Sequence, residues 1–305
     1  MDVIKVVPRG YCKGVVRAIR MAIQCAQDYP QKRITILGML VHNQYVIEAL
    51  KSYHIETIED SNKTREELLD DISDGVVIFT AHGISDQAKE KARQKGLICV
   101  DASCPDVLKT RRIINDRLHQ GYEIIYIGKA KHPEAEAICS LSERIHFMSV
   151  NDDIPKNLPS LLFVTNQTTM SQYELRSLFE RIRIQYPNAQ FSEEICPATR
   201  VRQTAVAQLK DQNIDCLYVV GDRSSNNSHR LAEIGKAIHI PNVYLIDDVN
   251  DMKPEQLNGV QRIAITAGAS TPSYLSDQVI EYLENYETKK ERPKINIADL
   301  LRGII

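Results

Sequence analysis

Three cysteines at equal intervals limit what this chain can fold into. Cys12, Cys104 and Cys196 are each 92 residues from the next. Each follows a short β-branched or apolar stretch and precedes a segment with helical periodicity and basic residues, as in "GYCKGVVRAI", "LICVDASCPDVLKTRR" and "QFSEEICPATRVRQ". A fixed period longer than any solenoid repeat points to three copies of one supersecondary unit. The regularity continues within each third. Roughly 30 residues after each cysteine a strand-like run ends in a polar loop, and about 65 to 75 residues after it comes another. The first set is "ITILGMLVHN", "EIIYIGKAKHPE" and "CLYVVGDRSSNNSHR". The second is "GVVIFTAHG", "LLFVTNQTTMS" and "RIAITAGAST". Nine strand-to-loop units are expected, separated by helix-length segments such as Asp86 to Lys95 and Gln203 to Asp211.

Short Val, Ile and Leu runs in alternating β and α order read as buried parallel strands in small α/β domains. The expected division is a first α/β domain over 13–98 and a second over 99–191. The third comprises 192–281 with the N-terminal strand of 1–12, and 282–305 form a C-terminal tail. A last helix is expected in "SDQVIEYLENYE", and the charged "TKKERPK" after it carries no evident chemistry. Ligands of such sheets sit beyond the carboxyl ends of the strands, where the cysteines and polar loops lie.

Composition bounds the partners. The chain has 305 residues and a net charge of -2, so no global basic field points to nucleic acid or an anionic membrane. No apolar run approaches the roughly 18 residues of a membrane span, and no secretory signal opens the chain. The expectation is a cytoplasmic protein with no membrane and no nucleic-acid partner. Seven cysteines in a reducing compartment do not suggest a disulfide framework. Cys99 and Cys216 fall within strand patterns, Cys25 on a helix pattern and Cys139 just after one, and all four read as inert buried thiols.

For Cys12, Cys104 and Cys196, loop placement, helix N-terminal position and equal spacing favour metal. Without nearby paired cysteines they match neither a zinc ribbon nor a ferredoxin run. A zinc site with three cysteines and a histidine is one option. The other is a four-iron cluster with three protein ligands, which leaves one iron open to substrate.

His42, His82 and His132 stand at the ends of strand runs in "VHN", "AHG" and "KHPE". A single such histidine is commonly structural. Three in equivalent loops, joined by Ser225, Asn226, Asn227 and Ser270, make a ring of donors suited to phosphate or diphosphate. No P-loop and no convincing dinucleotide fingerprint is present, so the anion is expected to be small. Glu134 is either a solvated first-turn glutamate or, if its loop faces substrate, a proton donor. Thr168 and Thr169 either relay protons and bind a substrate hydroxyl or cap a helix, a role expected of Thr169.

These motifs, together with "DASCP", "TNQTT" and "TAGAST", resemble in order and spacing the 4-hydroxy-3-methylbut-2-enyl diphosphate reductase (LytB) family, from about residue 9 to 275. The resemblance implies a trefoil of three pseudo-threefold α/β domains with mainly parallel sheets around a central 4Fe-4S cluster. It implies two-electron reductive dehydroxylation of 4-hydroxy-3-methylbut-2-enyl diphosphate to isopentenyl and dimethylallyl diphosphates, the last step of the non-mevalonate isoprenoid pathway. Carried over by motif, Cys12, Cys104 and Cys196 are the ligands, leaving one iron open. His42, His82, His132, Ser225, Asn226, Asn227 and Ser270 hold the diphosphate, Glu134 delivers protons and Thr168 positions the substrate alcohol. Flavodoxin or ferredoxin is the expected electron donor. Two departures are the Asn at 226, where the family often has serine, and "PSYL" after "TAGAST", where a tryptophan is common. The nearest rival is a three-cysteine 4Fe-4S dehydratase of the quinolinate synthase type, which takes carboxylates and needs no electrons. A phosphate-metabolite binding protein or zinc-stabilised scaffold is the non-enzymatic rival.

Overall fold

The computed structural model describes residues 1–304 apart from 287, 289, 290, 302 and 303. Parts of the expected last helix and of the tail therefore lie outside the described residues. In chain order come β1 (Asp2–Lys5), α1 (Lys13–Asp28), β2 (Ile34–Leu37), α2 (Gln44–Lys51), β3 (Ile55–Ile58), α3 (Arg65–Leu68), β4 (Val76–Phe79), α4 (Asp86–Gln94) and β5 (Ile98–Asp101). Then follow α5 (Pro105–His119), β6 (Glu123–Ile127), α6 (Pro133–Cys139), β7 (Ile145–Met148), β8 (Leu162–Asn166), α7 (Gln172–Gln185) and β9 (Gln190–Phe191). The last stretch holds α8 (Pro197–Ala207), β10 (Cys216–Val220), α9 (Asn226–Ala237), β11 (Asn242–Ile246), β12 (Arg262–Ala267) and α10 (Ser273–Glu284).

The twelve described strands form three four-stranded sheets, ordered β1-β12-β10-β11, β5-β4-β2-β3 and β9-β8-β6-β7. All pairings are parallel. In each sheet one edge strand, β1, β5 or β9, runs towards a cysteine, and it pairs with β12, β4 or β8 respectively. The threefold period in the sequence is thus a threefold repeat of strand order. The chain divides into two compact units, Met1–Val16 with Val41–Ala49 and Pro197–Ile305, and Arg17–Leu40 with Leu50–Cys196. The first holds the β1-β12-β10-β11 sheet, the second the other two.

The α/β reading with parallel sheets is what the structure has. Three strands beyond the nine expected are β3, β7 and β11, the second edge of each sheet. Their residues are mostly half-buried, so they lack the continuous apolar runs that mark β2, β4 and β10, buried at every position. The expected domain limit at 98 falls on the first residue of β5, which pairs with β4 from Val76↔Ile98 to Phe79↔Asp101. The helix expected at Gln203–Asp211 begins instead at Pro197, directly after Cys196, where proline suits a first helical turn. Its end tightens at Leu209, whose N–H bonds Val206 one residue short of the α spacing. Likewise α10 starts at Ser273 and continues to Glu284, past the expected start of the tail.

Helices bury one stripe against these sheets: Val107, Thr110, Ile114 and Leu118 on α5, and Leu175, Leu178, Phe179 and Ile182 on α7. Ser85 and Ser171 cap α4 and α7 by accepting from the backbone N–H groups of Ala88 and Glu174. The cap of α7 is therefore Ser171; the expected capping role of Thr169 is not what the structure shows.

Gly75 turns the chain into β4 at φ +93°, and a Cβ there would stand 2.2 Å from the Arg33 carbonyl oxygen. Gly96 also has positive φ, +73°, but open space around it. Gly75→Ala should therefore lower stability by at least ~2 kcal/mol and Gly96→Ala by about 1 kcal/mol, read from urea unfolding. Equal losses would mean that backbone strain alone, and not the Arg33 contact, fixes the glycine.

Candidate active site

Each candidate cysteine is held by the same hydrogen bond. The N–H of Cys12 donates to the Ala269 carbonyl at 2.9 Å, that of Cys104 to Ala81 at 2.9 Å and that of Cys196 to Thr168 at 3.0 Å. Every acceptor lies two residues past the end of the strand next to the cysteine's own edge strand: β12, β4 and β8 respectively. A helix begins at the residue after each cysteine: α1, α5 or α8. The free N–H groups and dipole of a helix start favour a thiolate. Val15 already donates its N–H to the Cys12 sulfur at 3.4 Å.

All seven cysteines are free of disulfides. Of the other four, Cys25 and Cys216 are buried as expected, whereas Cys99 and Cys139 are half-buried. Burial pushes the thiols of Cys25 and Cys139 up to about 11 and that of Cys216 up to about 12, and it also raises Cys99. Cys12, Cys104 and Cys196 are half-buried in loops beyond the strand ends. As a donor set, three reachable thiols at helix starts fit a metal–sulfur group held by three thiolates.

In the unit that carries Cys104 and Cys196, Glu134 is the second residue of α6 and only 1% exposed. Its carboxyl accepts the Thr168 N–H at 2.8 Å and the Thr168 hydroxyl at 2.8 Å, with the Tyr126 phenol at 3.4 Å. The solvated alternative for this glutamate is thereby set aside. Burial raises its carboxyl to about 7 against the pull of those hydrogen bonds. Thr168 thus joins two candidate functions, since its N–H and hydroxyl hold the carboxyl while its carbonyl holds Cys196. Tyr126, fully buried in β6, was not among the candidates of the sequence. A phenol within the otherwise aliphatic "EIIYI" was the signal available. Gln167, fully buried, ties this loop to the next by accepting the Lys129 N–H at 2.9 Å.

His132 caps α6, its Nδ1 accepting the Glu134 N–H at 3.1 Å. In the neutral ring this places the proton on Nε2. The rings of His132 and His82 meet edge to face with centroids 5.4 Å apart, and His82 Nδ1 lies 3.4 Å from the Thr80 hydroxyl.

The other unit gathers Cys12, His42, Ser225, Asn226, Asn227 and Ser270. Ser270 donates its hydroxyl to the His42 carbonyl at 2.9 Å. Asp222 accepts the Gln44 N–H at 2.9 Å and the Ser224 N–H at 2.7 Å, joining the loop after His42 to the loop before Ser225. Ser225 caps α9. Asn227 is 5% exposed, and neither atom of its amide has a partner. The fully buried Ser228 hydroxyl is equally unpaired, and it sits where Cβ atoms on Gly221 and Gly268 would stand, at 2.4 and 2.3 Å. Buried polar groups without partners are rare, and an anion rich in acceptors would satisfy the donors among them. Ser228 was missed by the sequence reading because nothing in "NNSHR" distinguishes it from a surface serine.

The family described as LytB protein matches residues 3–284. A 4-hydroxy-3-methylbut-2-enyl diphosphate reductase of Bacillus pumilus is 45% identical over 295 residues, covering 95% of this chain and 93% of the relative. One of Anoxybacillus flavithermus is 42% identical over 99% of this chain and 98% of its own. Among solved structures, the corresponding diphosphate reductase of Plasmodium falciparum superposes with a TM-score of 0.85 at 29% identity, covering 99% of this chain and 98% of that one. A second, titled the terminal enzyme of the non-mevalonate pathway, gives 0.62 at 27% identity over 93% of this chain and 100% of that one.

The position of Glu134 has a thermodynamic signature. Its folded value of about 7 lies above the ordinary 4.5, so between these values the folded chain keeps a proton that the unfolded chain has lost. The contribution therefore turns unfavourable as pH rises through that window. The urea midpoint of the native chain should fall more steeply across it than that of Glu134→Gln. Parallel profiles for the two proteins would show that the carboxyl ionises in the ordinary acid range.

Proposed function

The chain belongs to the LytB family, and from that premise we propose how its residues perform the reaction of 4-hydroxy-3-methylbut-2-enyl diphosphate reductase. The reaction is the last step of the non-mevalonate isoprenoid pathway. Two electrons and two protons enter, the allylic C–O bond breaks, its oxygen leaves as water, and isopentenyl or dimethylallyl diphosphate remains. The relatives do not favour a dehydratase.

The family is iron–sulfur dependent. In this chain Cys12, Cys104 and Cys196 would hold a 4Fe-4S cluster through three thiolates. Bound there, the cluster supplies Lewis acidity at an open iron and a path for two electrons.

The chain's own residues do the rest. His42, His82 and His132 with Ser225, Asn226, Asn227 and Ser270 bind the diphosphate through N–H and O–H donors, and this anchors the far end of the substrate. The Asn226 amide donates to phosphate as the more usual serine would. The Thr168 hydroxyl, whose proton is committed to Glu134, keeps lone pairs to accept from the substrate alcohol. Glu134 is the proton source for the departing oxygen. With its value near 7 it holds a proton in about half of the molecules at neutral pH. The observation that carries this reading is the role of Thr168 as the shared partner of Glu134 and Cys196.

The electrons come from a small carrier such as flavodoxin or ferredoxin, and the compartment is the cytoplasm. Among the described residues no helix is long and apolar enough to cross a membrane. The division into three α/β domains, 13–98, 99–191 and 192–281 with 1–12, is part of the same proposal.

Anaerobically prepared, cluster-loaded protein should oxidise a reduced viologen dye when 4-hydroxy-3-methylbut-2-enyl diphosphate is added. Absence of oxidation despite an intact cluster would overturn the assignment. Glu134→Gln should lose at least ~100-fold in kcat while KM moves less than about threefold. Turnover close to that of the native enzyme would remove Glu134 as the proton source. Cys104→Ser should lose iron and sulfide together, and full retention of both would refute the ligand set.

A further inference from the structure

The family match ends at residue 284, and the charged segment beyond it is the part of the chain to which sequence assigns no chemistry. In the structure that segment has specific partners. Arg292 donates to the carbonyls of Asn250, at 3.1 Å, and Met252. The Lys294 carbonyl accepts from the Tyr274 phenol at 3.3 Å and the Gln278 amide at 3.0 Å, and Asn296 donates its N–H to the Tyr274 oxygen at 3.0 Å. Leu300 and Leu301 are 1% and 3% exposed. The Leu300 carbonyl accepts the Tyr11 phenol at 3.2 Å. Tyr11 is the residue before Cys12.

The chain reaches its three cysteines by approach loops of unequal length. Two residues separate β5 from Cys104, Ala102 and Ser103; four separate β9 from Cys196, Ser192 to Ile195. Six separate β1 from Cys12, Val6 to Tyr11. A longer loop has more conformational freedom to lose before its last residue is fixed. The shorter loops are tied both nearby and from other elements: Ser103 to Asp101 and to Arg17 of α1, Glu194 to Asn166 and to Lys109 of α5. The longer Cys12 loop has a local bond from Arg9 to the Val6 carbonyl and is otherwise held from afar. Arg202 donates to the Gly10 carbonyl at 2.6 Å, and Tyr11 reaches across to Leu300.

We infer that residues Arg292–Leu301 are a strap that positions Cys12, with Tyr11 as the residue through which it acts. Tyr11 is a positioning residue that acts through Cys12. The strap supplies the order that the six-residue approach lacks. Its purpose rests on the reading of Cys12 as a cluster ligand; the tether itself does not.

The three equivalent cysteine amides make the test internally controlled. Hydrogen exchange is followed by mass spectrometry in the full-length, cluster-free chain and in its Tyr11→Phe and Arg292→Ala variants. Exchange in the peptide covering Cys12 should quicken about fivefold in Tyr11→Phe and about threefold in Arg292→Ala, while the Cys104 and Cys196 peptides keep their rates. Arg292 lies outside the Cys12 loop, so an effect there reports the strap and not a local contact. Unchanged exchange at Cys12, or equal acceleration at all three cysteines, would overturn the inference. In loaded protein both variants should release iron to a chelator at least threefold faster, with KM unchanged. Full iron and sulfide in a Cys12→Ser variant would refute the ligand reading, and with it the purpose of the strap, while the exchange data would still decide whether the tether exists.

Discussion

One hydrogen bond, made three times, organises the functional loops. A cysteine N–H donates to the carbonyl two residues past the end of the neighbouring strand, as Cys12 does to Ala269, Cys104 to Ala81 and Cys196 to Thr168. The bond can recur only because each sheet places the cysteine's edge strand beside a strand that ends two residues before the acceptor: β1 beside β12, β5 beside β4 and β9 beside β8. It fixes the position of each cysteine and not the length of chain that reaches it: approach loops of two, four and six residues all deliver a cysteine to this bond and to a helix start. The next helix then starts with its unpaired N–H groups behind the sulfur. Backbone pairing and strand order together place each cysteine at a helix start.

The repeat fixes where polar loops gather, and single residues then make the lobes different. Glu134 shows how. A carboxyl shut from water prefers its proton, and three hydrogen bonds pull the other way, two from Thr168 and one from Tyr126. Burial wins by enough to leave the group near neutrality, and the hydrogen bonds stop it from rising further. A fully solvated glutamate would be ionised at neutral pH and could not donate. One buried without donors would hold its proton too tightly. His132 caps the same helix by accepting the Glu134 N–H, which fixes the start of α6.

Much of this was legible in the sequence. The equal cysteine spacing and the apolar runs gave the parallel sheets, because strands buried on both faces have a simple signature. The second edge strands were not legible, since β3, β7 and β11 are half-exposed and mix polar with apolar residues. The candidate side chains were found by residue type and loop position, but their environments were not. Nothing in "KHPEAEA" tells whether Glu134 faces solvent, because its burial comes from β6 and the loop after β8, distant in sequence. Tyr126 and Ser228 were missed for the same reason. A hydroxyl becomes informative only when its surroundings exclude water, and that is a property of packing.

The Cys12 loop shows the cost of building three lobes from one chain. The second and third cysteines are reached from strands already enclosed by chain on both sides in sequence. The first is reached from a strand near the N-terminus that must pair with β12, more than 250 residues away. Its loop is also the longest, and besides the local bond from Arg9 to the Val6 carbonyl it is held by distant groups: Arg202 from α8 at Gly10 and the C-terminal segment at Tyr11. Where a repeated fold demands the same geometry at unequal sites, the site with the most freedom needs added tethers. In this chain they come from the third that completes the β1 sheet and from the segment that follows it.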